Sequence, residues 1–449
     1  MDKLEQKIIS IIESRREEII ALGRDIFTHA EMGYKEYRTA GVVQQKLEEL
    51  GIHPETGLAV TGVKGYIQGK EADGPVVAVI GELDALPIPA HPDANPETGA
   101  SHCFGHNAQI AGMLGAAMAL TDPEVREALG GSVAFMAVPS EEFVDTAFKN
   151  GLMEQGIIRY GGGKSELIRI GAFDDIAVAV GHHIVPNIAG FELANNTTNG
   201  FVNKVVTFRG KSAHAAGSPH EGIDALNAAT LAMHAIDLQR ETFKDQDSVR
   251  IHSYLPRAGT AINVIAEEVC LESSVRAKNI PALQDADAKY DRSIRAGALA
   301  LGCSAEIVTI PGYLPTVPLE HPELMSGVLT DLIEEEKAQG RDYTMGWRNR
   351  DFHEAGSTDY GELSSILPLY QFRTGGYTGQ LHNSNVRVTD EQLAYVEPAK
   401  IFALMAYRLL KDGAAGVKET VGQFEPLMSK EEYFRFMEEM SRKEVFPAE

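Results

Sequence analysis

Three continuous apolar runs constrain the fold of this 449-residue chain most strongly. They read PVVAVIGELDALP from Pro75, GSVAFMAVPSEE from Gly131 and DDIAVAVGHHIVP from Asp174. A run that is apolar at nearly every position suits a strand buried on both faces of a sheet. Because helical stretches separate the runs, we predict an α/β sheet whose ligands bind where the strands end.

The length of the chain predicts two domains, since it exceeds what one hydrophobic core usually supports. From about Phe191 the continuous runs give way to half-buried strands, such as GFVNKVVTFRG and AEIVTIPG, with two helical stretches. After YLPTVP the first pattern returns. We therefore expect an α/β catalytic domain over 1–190 and 314–449, interrupted by an α+β domain over 191–313.

The composition excludes several classes of protein. A formal charge of −23, from 41 basic and 64 acidic residues, argues against a nucleic-acid partner. The three cysteines, Cys103, Cys270 and Cys303, are few and scattered, which favours a reducing compartment. No signal-peptide core and no apolar run of about 18 residues is present, so we expect a cytoplasmic protein without a membrane partner.

Four separate segments, at apparent strand ends or in loops, contain residue types that bind metals. They contain His106 (FGHN), Glu141 and Glu142 (PSEEF), His182 and His183 (GHHIVP), and His382 (QLHNSN). Each one alone is usually a solvated or hydrogen-bonded side chain. Several of them at the ends of buried strands, however, would meet in one crevice, and imidazole with carboxylate suits Zn²⁺ or Mn²⁺.

The adjacent glutamates predict a division of labour. At a strand end the backbone can bend so that one carboxylate binds a metal and the other faces a water molecule. A metal lowers the pKa of such a water towards about 7. The second carboxylate can then take its proton and pass it to a leaving amine.

The segment RYGGGKS, from Arg159 to Ser165, imitates a phosphate-binding loop. The glycine that the motif requires five positions before Gly163 is Ile158, so the motif fails. We expect a flexible surface loop here. Cys103 beside a histidine is, by itself, a weak signal for a nucleophile.

The chain resembles the amidohydrolase branch of the aminoacylase and carboxypeptidase metallopeptidase superfamily. The likeness rests on an ordered set of segments that covers nearly the whole chain: GELDALPIP, CFGHNAQIAGMLGAA, PSEE, GHHIVP, GKSAHAAGSPHEGIDALNAA, GTAINVIAEEVCLESSVRA, GSTDYG and LHNSN. The branch includes auxin-conjugate amidohydrolases, hippurate-type hydrolases and aminobenzoyl-glutamate hydrolases. The resemblance implies a catalytic α/β domain with a metal site, and an inserted lid domain through which homodimers often form.

The resemblance also implies roles for individual residues. The implied metal ligands are His106, Glu142, His183 and His382. Glu141 becomes the general base and acid, and Asp84 orients His106. In the lid, His214 stabilises the oxyanion, from the same or the partner subunit, while Asn263 and Arg276 meet a substrate carboxylate or carbonyl.

Two positions depart from the family pattern Cys-Gly-His-Asp. Phe104 stands where the branch has a cysteine ligand, and Asn107 stands where it has aspartate. Cys103 lies one residue early. Losing a thiolate ligand predicts either one firmly bound divalent metal alone or, beside it, a second one that is weak and labile.

The function predicted from these residues is metal-dependent hydrolysis of an amide in a small molecule. An N-acyl amino acid, an aryl-glutamate amide or an unusual dipeptide would fit. Two alternatives remain at this point: hydrolytic deamination of a small aromatic amine by the same site, and a non-catalytic binding protein on the same fold.

Overall fold

The structure, a computed structural model, describes residues 1–71 and 73–448. Its α-helices in chain order are α1 (Lys3–Ser14), α2 (Arg16–Thr28), α3 (Tyr37–Glu49), α4 (His106–Leu120), α5 (Pro123–Arg126), α6 (Thr146–Glu154), α7 (Gly163–Arg169), α8 (Ala225–Leu238), α9 (Ile280–Leu301), α10 (Glu323–Ala338), α11 (Tyr360–Ile366), α12 (Glu397–Gln423) and α13 (Lys430–Glu439). Helix α12 is broken by non-helical backbone over 411–414.

The β-strands in chain order are β1 (Glu55–Leu58), β2 (Gly62–Gln68), β3 (Val76–Glu82), β4 (Leu86–Pro87), β5 (Ala100–Ser101), β6 (Ser132–Val138), β7 (Ile176–Ile184), β8 (Gly190–Ala194), β9 (Thr197–Thr198), β10 (Gly200–Arg209), β11 (Arg250–Ala258), β12 (Glu268–Ala277), β13 (Ser304–Pro311), β14 (Thr344–Arg348), β15 (His353–Glu354), β16 (Leu369–Thr374), β17 (Tyr377–Thr378), β18 (Arg387–Val388) and β19 (Arg442–Phe446).

The first of two structural units comprises 1–196, 317–352 and 362–427. It is built on an eight-stranded sheet in the order β1-β2-β6-β3-β7-β16-β8-β14. Within it β6, β3, β7 and β16 are neighbours and run parallel. The three apolar runs form β3, β6 and β7, which are buried almost throughout, as their composition predicts. The predicted α/β class is confirmed.

Helix α4 packs against this sheet and is buried along its whole length. Its residues are small and apolar on every side, so no solvent-facing stripe is needed. Gly112 lies against Pro398 of α12: a Cβ placed there would lie 2.8 Å from the Pro398 Cβ and 3.3 Å from backbone atoms. The close approach of the two helices therefore depends on a missing side chain.

The second unit comprises 197–316, 353–361 and 428–449, of which 449 lies outside the described residues. Its antiparallel sheet has the order β11-β12-β10-β13-β19, and α8 and α9 pack on it. The sequence analysis placed the C-terminal segment with the catalytic domain. In the structure β19 instead pairs with β13, and Arg442 forms ion pairs with Asp287 and Asp291 of α9.

A buried carboxylate ties the segment before α3 to the large sheet. Glu36 accepts hydrogen bonds from the backbone N–H of Ser140 (2.8 Å) and from the hydroxyl of Thr61 (2.6 Å). Burial, together with the negative charge of Asp84, raises the pKa of Glu36 to about 8. Glu36 therefore holds a proton in the folded chain at a pH where the unfolded chain has lost it.

This pKa shift makes stability depend on pH. Between 4.5 and about 8 the folded state binds the extra proton, so the free energy of unfolding falls as pH rises through that window, by at most about 1.4 kcal/mol per pH unit. We expect Glu36→Gln to gain stability relative to wild type across the same window, measured by urea unfolding of metal-free protein. The exposed control Glu154→Gln should show a constant difference, and a constant difference for Glu36→Gln would contradict the assignment.

The helix contact at Gly112 gives a second expectation. Gly112→Ala should destabilise the protein by about 1–3 kcal/mol, because the new methyl group overlaps a rigid proline ring. Gly151→Ala, in the interior of α6, is the matched control, since its Cβ would meet nothing closer than 4.0 Å. It should be neutral or stabilising through helix propensity. Thermal unfolding of both variants tests this, and equal melting temperatures would be the adverse result.

Candidate metal centre

The candidate site lies at the carboxyl ends of the parallel strands. Glu82 is the last residue of β3, Glu141 and Glu142 follow β6, and His183 is close to the end of β7. His106 begins α4. Since parallel neighbours end at the same edge of a sheet, the topology itself gathers these side chains.

Four buried residues, Glu82, His106, Glu141 and His183, form a cluster that we call the quartet. Each offers one ligand atom, and these atoms all lie within 4.8 Å of one another. The Nε2 atoms of His106 and His183 lie 3.0 and 3.3 Å from the same oxygen, Oε2 of Glu82. Glu141 Oε2 lies 3.8 Å from His106 Nε2. Two imidazoles and two carboxylates are a donor set for Zn²⁺ or Mn²⁺.

The ring of His106 is oriented as a metal ligand would be. Its Nδ1 lies 2.8 Å from the backbone oxygen of Asp84, so this nitrogen carries the proton in the neutral ring. Its Nε2 is buried and makes no hydrogen bond within the described part of the chain. Burial alone would lower the pKa of His106, but the charges of Glu82, Asp84 and Glu141 raise it well above its usual value. The pocket thus favours a cation at this position, and the residues present fit a divalent metal.

Asp84 positions three of the residues around the site. Its Oδ1 and Oδ2 accept hydrogen bonds from the backbone N–H groups of Glu141 (3.0 Å) and Glu142 (2.8 Å). Oδ1 also lies 3.3 Å from His106 Nδ1. Ser140, just before the glutamates, has a φ of 53°, an uncommon conformation for a residue other than glycine. The sharp bend that turns the glutamates into the site is therefore held by a buried anion.

Glu142 and His382 form a second pair at the site. His382 Nε2 lies 3.7 Å from Glu142 Oε1, and the His382 side chain is half exposed. Burial, with the charges of Asp84 and Glu82, raises the pKa of Glu142 to about 8 despite the opposing charge of His106. The metal ligands predicted from sequence thus divide: His106 and His183 lie in the quartet, whereas Glu142 and His382 lie beside it.

Phe104 stands among the three histidines. Its ring centroid lies 4.9 Å from that of His382, 5.1 Å from His183 and 5.8 Å from His106, with the planes near perpendicular. The thiol of the neighbouring Cys103 is directed instead towards Ser101, at 3.4 Å from Oγ. An apolar ring is therefore in contact with imidazoles of both the quartet and the second pair.

Of the adjacent histidines, only His183 faces the quartet. His182 points to the opposite face of β7, where it stacks on Phe372 at 4.7 Å and its Nε2 bonds Thr374 Oγ1 at 2.8 Å. Burial lowers the pKa of His182 well below its usual value. His182 is thus a neutral core residue.

Glu82 and Lys164 are site residues that the sequence analysis missed. Lys164 forms an ion pair with Glu82 Oε1, and Gln109 Nε2 donates to Oε2 at 2.8 Å. Burial would raise the pKa of Glu82, but the positive charges of Lys164, His183 and His106 lower it well below its usual value. The signal for Glu82 was present, because the run containing it ends in acids as the PSEE run does.

The expectation of a flexible surface loop at RYGGGKS is wrong. The segment leads into α7, whose Gly163 to Ile168 are buried. A Cβ at Gly163 would lie 1.6 Å from the carbonyl oxygen of Pro139, so the glycine permits a tight contact with the chain after β6. That contact brings Lys164 into the interior.

The remaining predicted residues, His214, Asn263 and Arg276, lie in the second unit. The backbone N–H of Ala215 donates to the Asn263 carbonyl at 3.0 Å, so His214 and Asn263 occupy adjacent segments. Arg276 of β12 packs its guanidinium 4.9 Å from the Phe201 ring centroid and donates to Ser357 Oγ at 3.1 Å.

Two further features bear on the sequence expectations. Cys103, Cys270 and Cys303 are free thiols. Among residues 1–71 and 73–448, none of the helices combines the length and apolarity that a bilayer crossing requires.

No family model matches this chain, but known proteins are similar to it in sequence over long stretches. A probable hydrolase of Synechocystis is 29% identical over 267 residues, 58% of this chain and 62% of that protein. An N-acetylcysteine deacetylase of Bacillus subtilis is 30% identical over 306 residues, 67% of this chain and 75% of the relative. An IAA-amino acid hydrolase of Arabidopsis thaliana is 28% identical over 412 residues, 88% and 86% of the two chains.

Solved structures share the fold. A dinuclear metal binding peptidase from the M20 family, from Bacillus subtilis, superposes with a TM-score of 0.63 at 22% identity, covering 89% of this chain and 99% of that one. The predicted superfamily and hydrolytic activity are confirmed, and the alternative of a non-catalytic binding protein is set aside. With its buried quartet of imidazole and carboxylate donors, the chain belongs to the M20 family and is a metal-dependent amidohydrolase.

Proposed function

We propose that this enzyme hydrolyses the amide bond of a small N-acyl amino acid, with Glu141 moving the proton. The observation that carries the proposal is the buried quartet, in which a glutamate faces two imidazoles at the strand ends. The names of two relatives, an N-acetylcysteine deacetylase and an IAA-amino acid hydrolase, describe the removal of an acyl group from an amino acid. Aryl-glutamate amides and unusual dipeptides belong to the same chemical class.

The proposed metal site uses His106 and His183 with Glu82 as a further ligand, and Glu142 with His382 on its open side. A divalent cation, Zn²⁺ or Mn²⁺, supplies Lewis acidity that polarises a carbonyl group and makes water more acidic. Asp84 keeps the His106 ring in the tautomer whose Nε2 lone pair faces the quartet.

Glu141 is the proposed general base and acid. Its carboxylate is buried next to His106, and its backbone N–H is held by Asp84, so its direction is set before substrate arrives. The carboxylate takes a proton from the attacking water and delivers it to the departing nitrogen. One water is consumed, and the products are a carboxylic acid and an amine.

Replacing Glu141 with glutamine separates two roles that its carboxylate can have, proton transfer and metal binding. We expect Glu141→Gln to keep its metal, counted by elemental analysis, and to lose about 10²–10⁴-fold in kcat on N-acyl amino acids, because an amide cannot accept the proton. Glu154→Gln, an exposed exchange on α6, is the control and should be fully active.

Either of two results would contradict this assignment. Unchanged turnover would remove Glu141 from proton transfer. Loss of metal from Glu141→Gln would make Glu141 a ligand and would leave the predicted division between Glu141 and Glu142 reversed.

His214 is the proposed oxyanion donor. Its Nδ1 accepts hydrogen bonds from the backbone N–H groups of Ala216 (3.2 Å) and Gly217 (3.0 Å). In the neutral ring the proton therefore sits on Nε2, which is exposed and able to donate to a developing negative charge. Asn263, on the adjacent segment, and Arg276 are proposed to bind the carbonyl and carboxylate of the substrate.

Removing this donor should affect turnover without affecting the metal. We expect His214→Ala to lower kcat by about 10²–10³-fold at unchanged metal content. His220→Ala, another exposed histidine of the second unit, should behave as wild type. Wild-type kcat for His214→Ala would remove the lid histidine from the mechanism.

A second candidate activity is hydrolytic deamination of a small aromatic amine. The observation that favours it is the ring of Phe104 beside three imidazoles, which adds an aromatic surface to the site. Assays that separate ammonia release from amino-acid release distinguish the two reactions.

We also infer a cytoplasmic homodimer. Three free cysteines support a reducing compartment. The outer strand of the second unit's sheet, β11, leaves Tyr254 exposed and offers an unpaired edge within the described residues. Light scattering of the purified protein reports the oligomeric state.

A further inference from the structure

The carboxylate of Glu82 has different partners at its two oxygens. Its Oε2 faces the Nε2 atoms of His106 and His183, while its Oε1 is paired with the ammonium group of Lys164. A carboxylate that bridges two metal ions likewise gives one oxygen to each. In this chain, the second of those places is taken by a lysine.

Lys164 is held in this place by the fold. Its side chain is completely buried, whereas most lysines extend their ammonium group to water. It lies in the first turn of α7, where Gly163 packs against the Pro139 carbonyl and Ser165 Oγ donates to the Gly162 oxygen at 2.9 Å. A buried ammonium group needs a compensating anion. Oε1 of Glu82 is therefore committed to Lys164.

The surroundings of Glu142 and His382, the second pair, also argue against a second metal ion. Phe104, whose ring has no lone pair to offer a metal, packs against His183 of the quartet and against His382 of the second pair. His382 is half exposed and lies 3.7 Å from Glu142. The bacterial relative of the same fold is described as binding two metals. Here the two features that a second cation would need, an open carboxylate oxygen and a further donor beside the histidines, are replaced by an ammonium group and a phenyl ring.

We propose that the Lys164 ammonium group is a built-in cation that takes the place of a second metal ion, so that the enzyme holds one divalent metal per chain. This inference rests on the proposed metal site of the quartet. It assigns Lys164 as a positioning residue, which acts through Glu82 on the number of metal ions bound.

The test counts metals and needs no substrate. Metal-free protein is titrated with Mn²⁺, desalted and analysed for metal per chain, and its electron paramagnetic resonance spectrum is recorded. We expect wild type to bind one equivalent with the spectrum of an isolated ion. Lys164→Ala, which frees Oε1 and opens space beside it, should bind two equivalents and show the spin coupling of ions about 4 Å apart.

Two variants serve as controls. Lys164→Arg keeps the positive charge and should still bind one equivalent. Lys149→Ala removes another buried ammonium group, one that donates to the backbone oxygen of Glu142 at 2.7 Å, and should also bind one. A gain of metal in Lys149→Ala would mean that any lost positive charge recruits a cation, and it would overturn the specific role of Lys164.

Other metal counts would overturn the proposed role of Lys164. Two equivalents in wild type would overturn it, even if Lys164→Ala does not fold. One equivalent in a folded Lys164→Ala, verified by circular dichroism, would overturn it as well. Wild type with one Mn²⁺ and no amide hydrolysis would refute the proposed function and leave this inference intact, so the two failures are distinguishable.

Discussion

The geometry of the candidate metal centre depends on the contacts of one buried carboxylate, that of Asp84. It accepts two backbone N–H groups at the bend after β6 and lies against the ring of His106 at the start of α4. An unsatisfied carboxylate at this depth would be very costly, and these donors offset that cost. Burial alone would raise the pKa of Asp84, but His106 and the N–H of Glu142 outweigh burial and lower that pKa, so the group remains an anion. One charge thus fixes two glutamates and one histidine.

Four acidic side chains are concentrated in the same region. Glu82, Asp84, Glu141 and Glu142 are buried within one crevice. Their pKa values move apart: Lys164 and the histidines hold that of Glu82 very low, whereas burial raises that of Glu142 to about 8. Carboxyl groups displaced in opposite directions are typical of sites that divide ligand and proton-transfer roles.

Much of this could be predicted from particular residues. The apolar runs identified β3, β6 and β7, and the acids and histidines at their ends located His106, Glu141 and His183. Glu82 ends the same kind of run, but the family resemblance implied a role only for the nearby acid Asp84. Lys164 could not be found, since a lysine after three glycines reads as exposed, and only the contact of Gly163 with Pro139 shows why it is buried.

The α/β class, the inserted α+β unit, the metal-binding residue types and the family could be inferred from the sequence alone, because periodicity and residue order are local properties of the chain. Tertiary structure decided which of these side chains meet. It placed Glu141 rather than Glu142 beside the imidazoles, moved the C-terminal strand to the second unit, and set Lys164 against Glu82. Such pairings join residues far apart in the chain, 82 positions in the case of Lys164 and Glu82. They follow from strand order and from close packing at a glycine, neither of which any local pattern encodes.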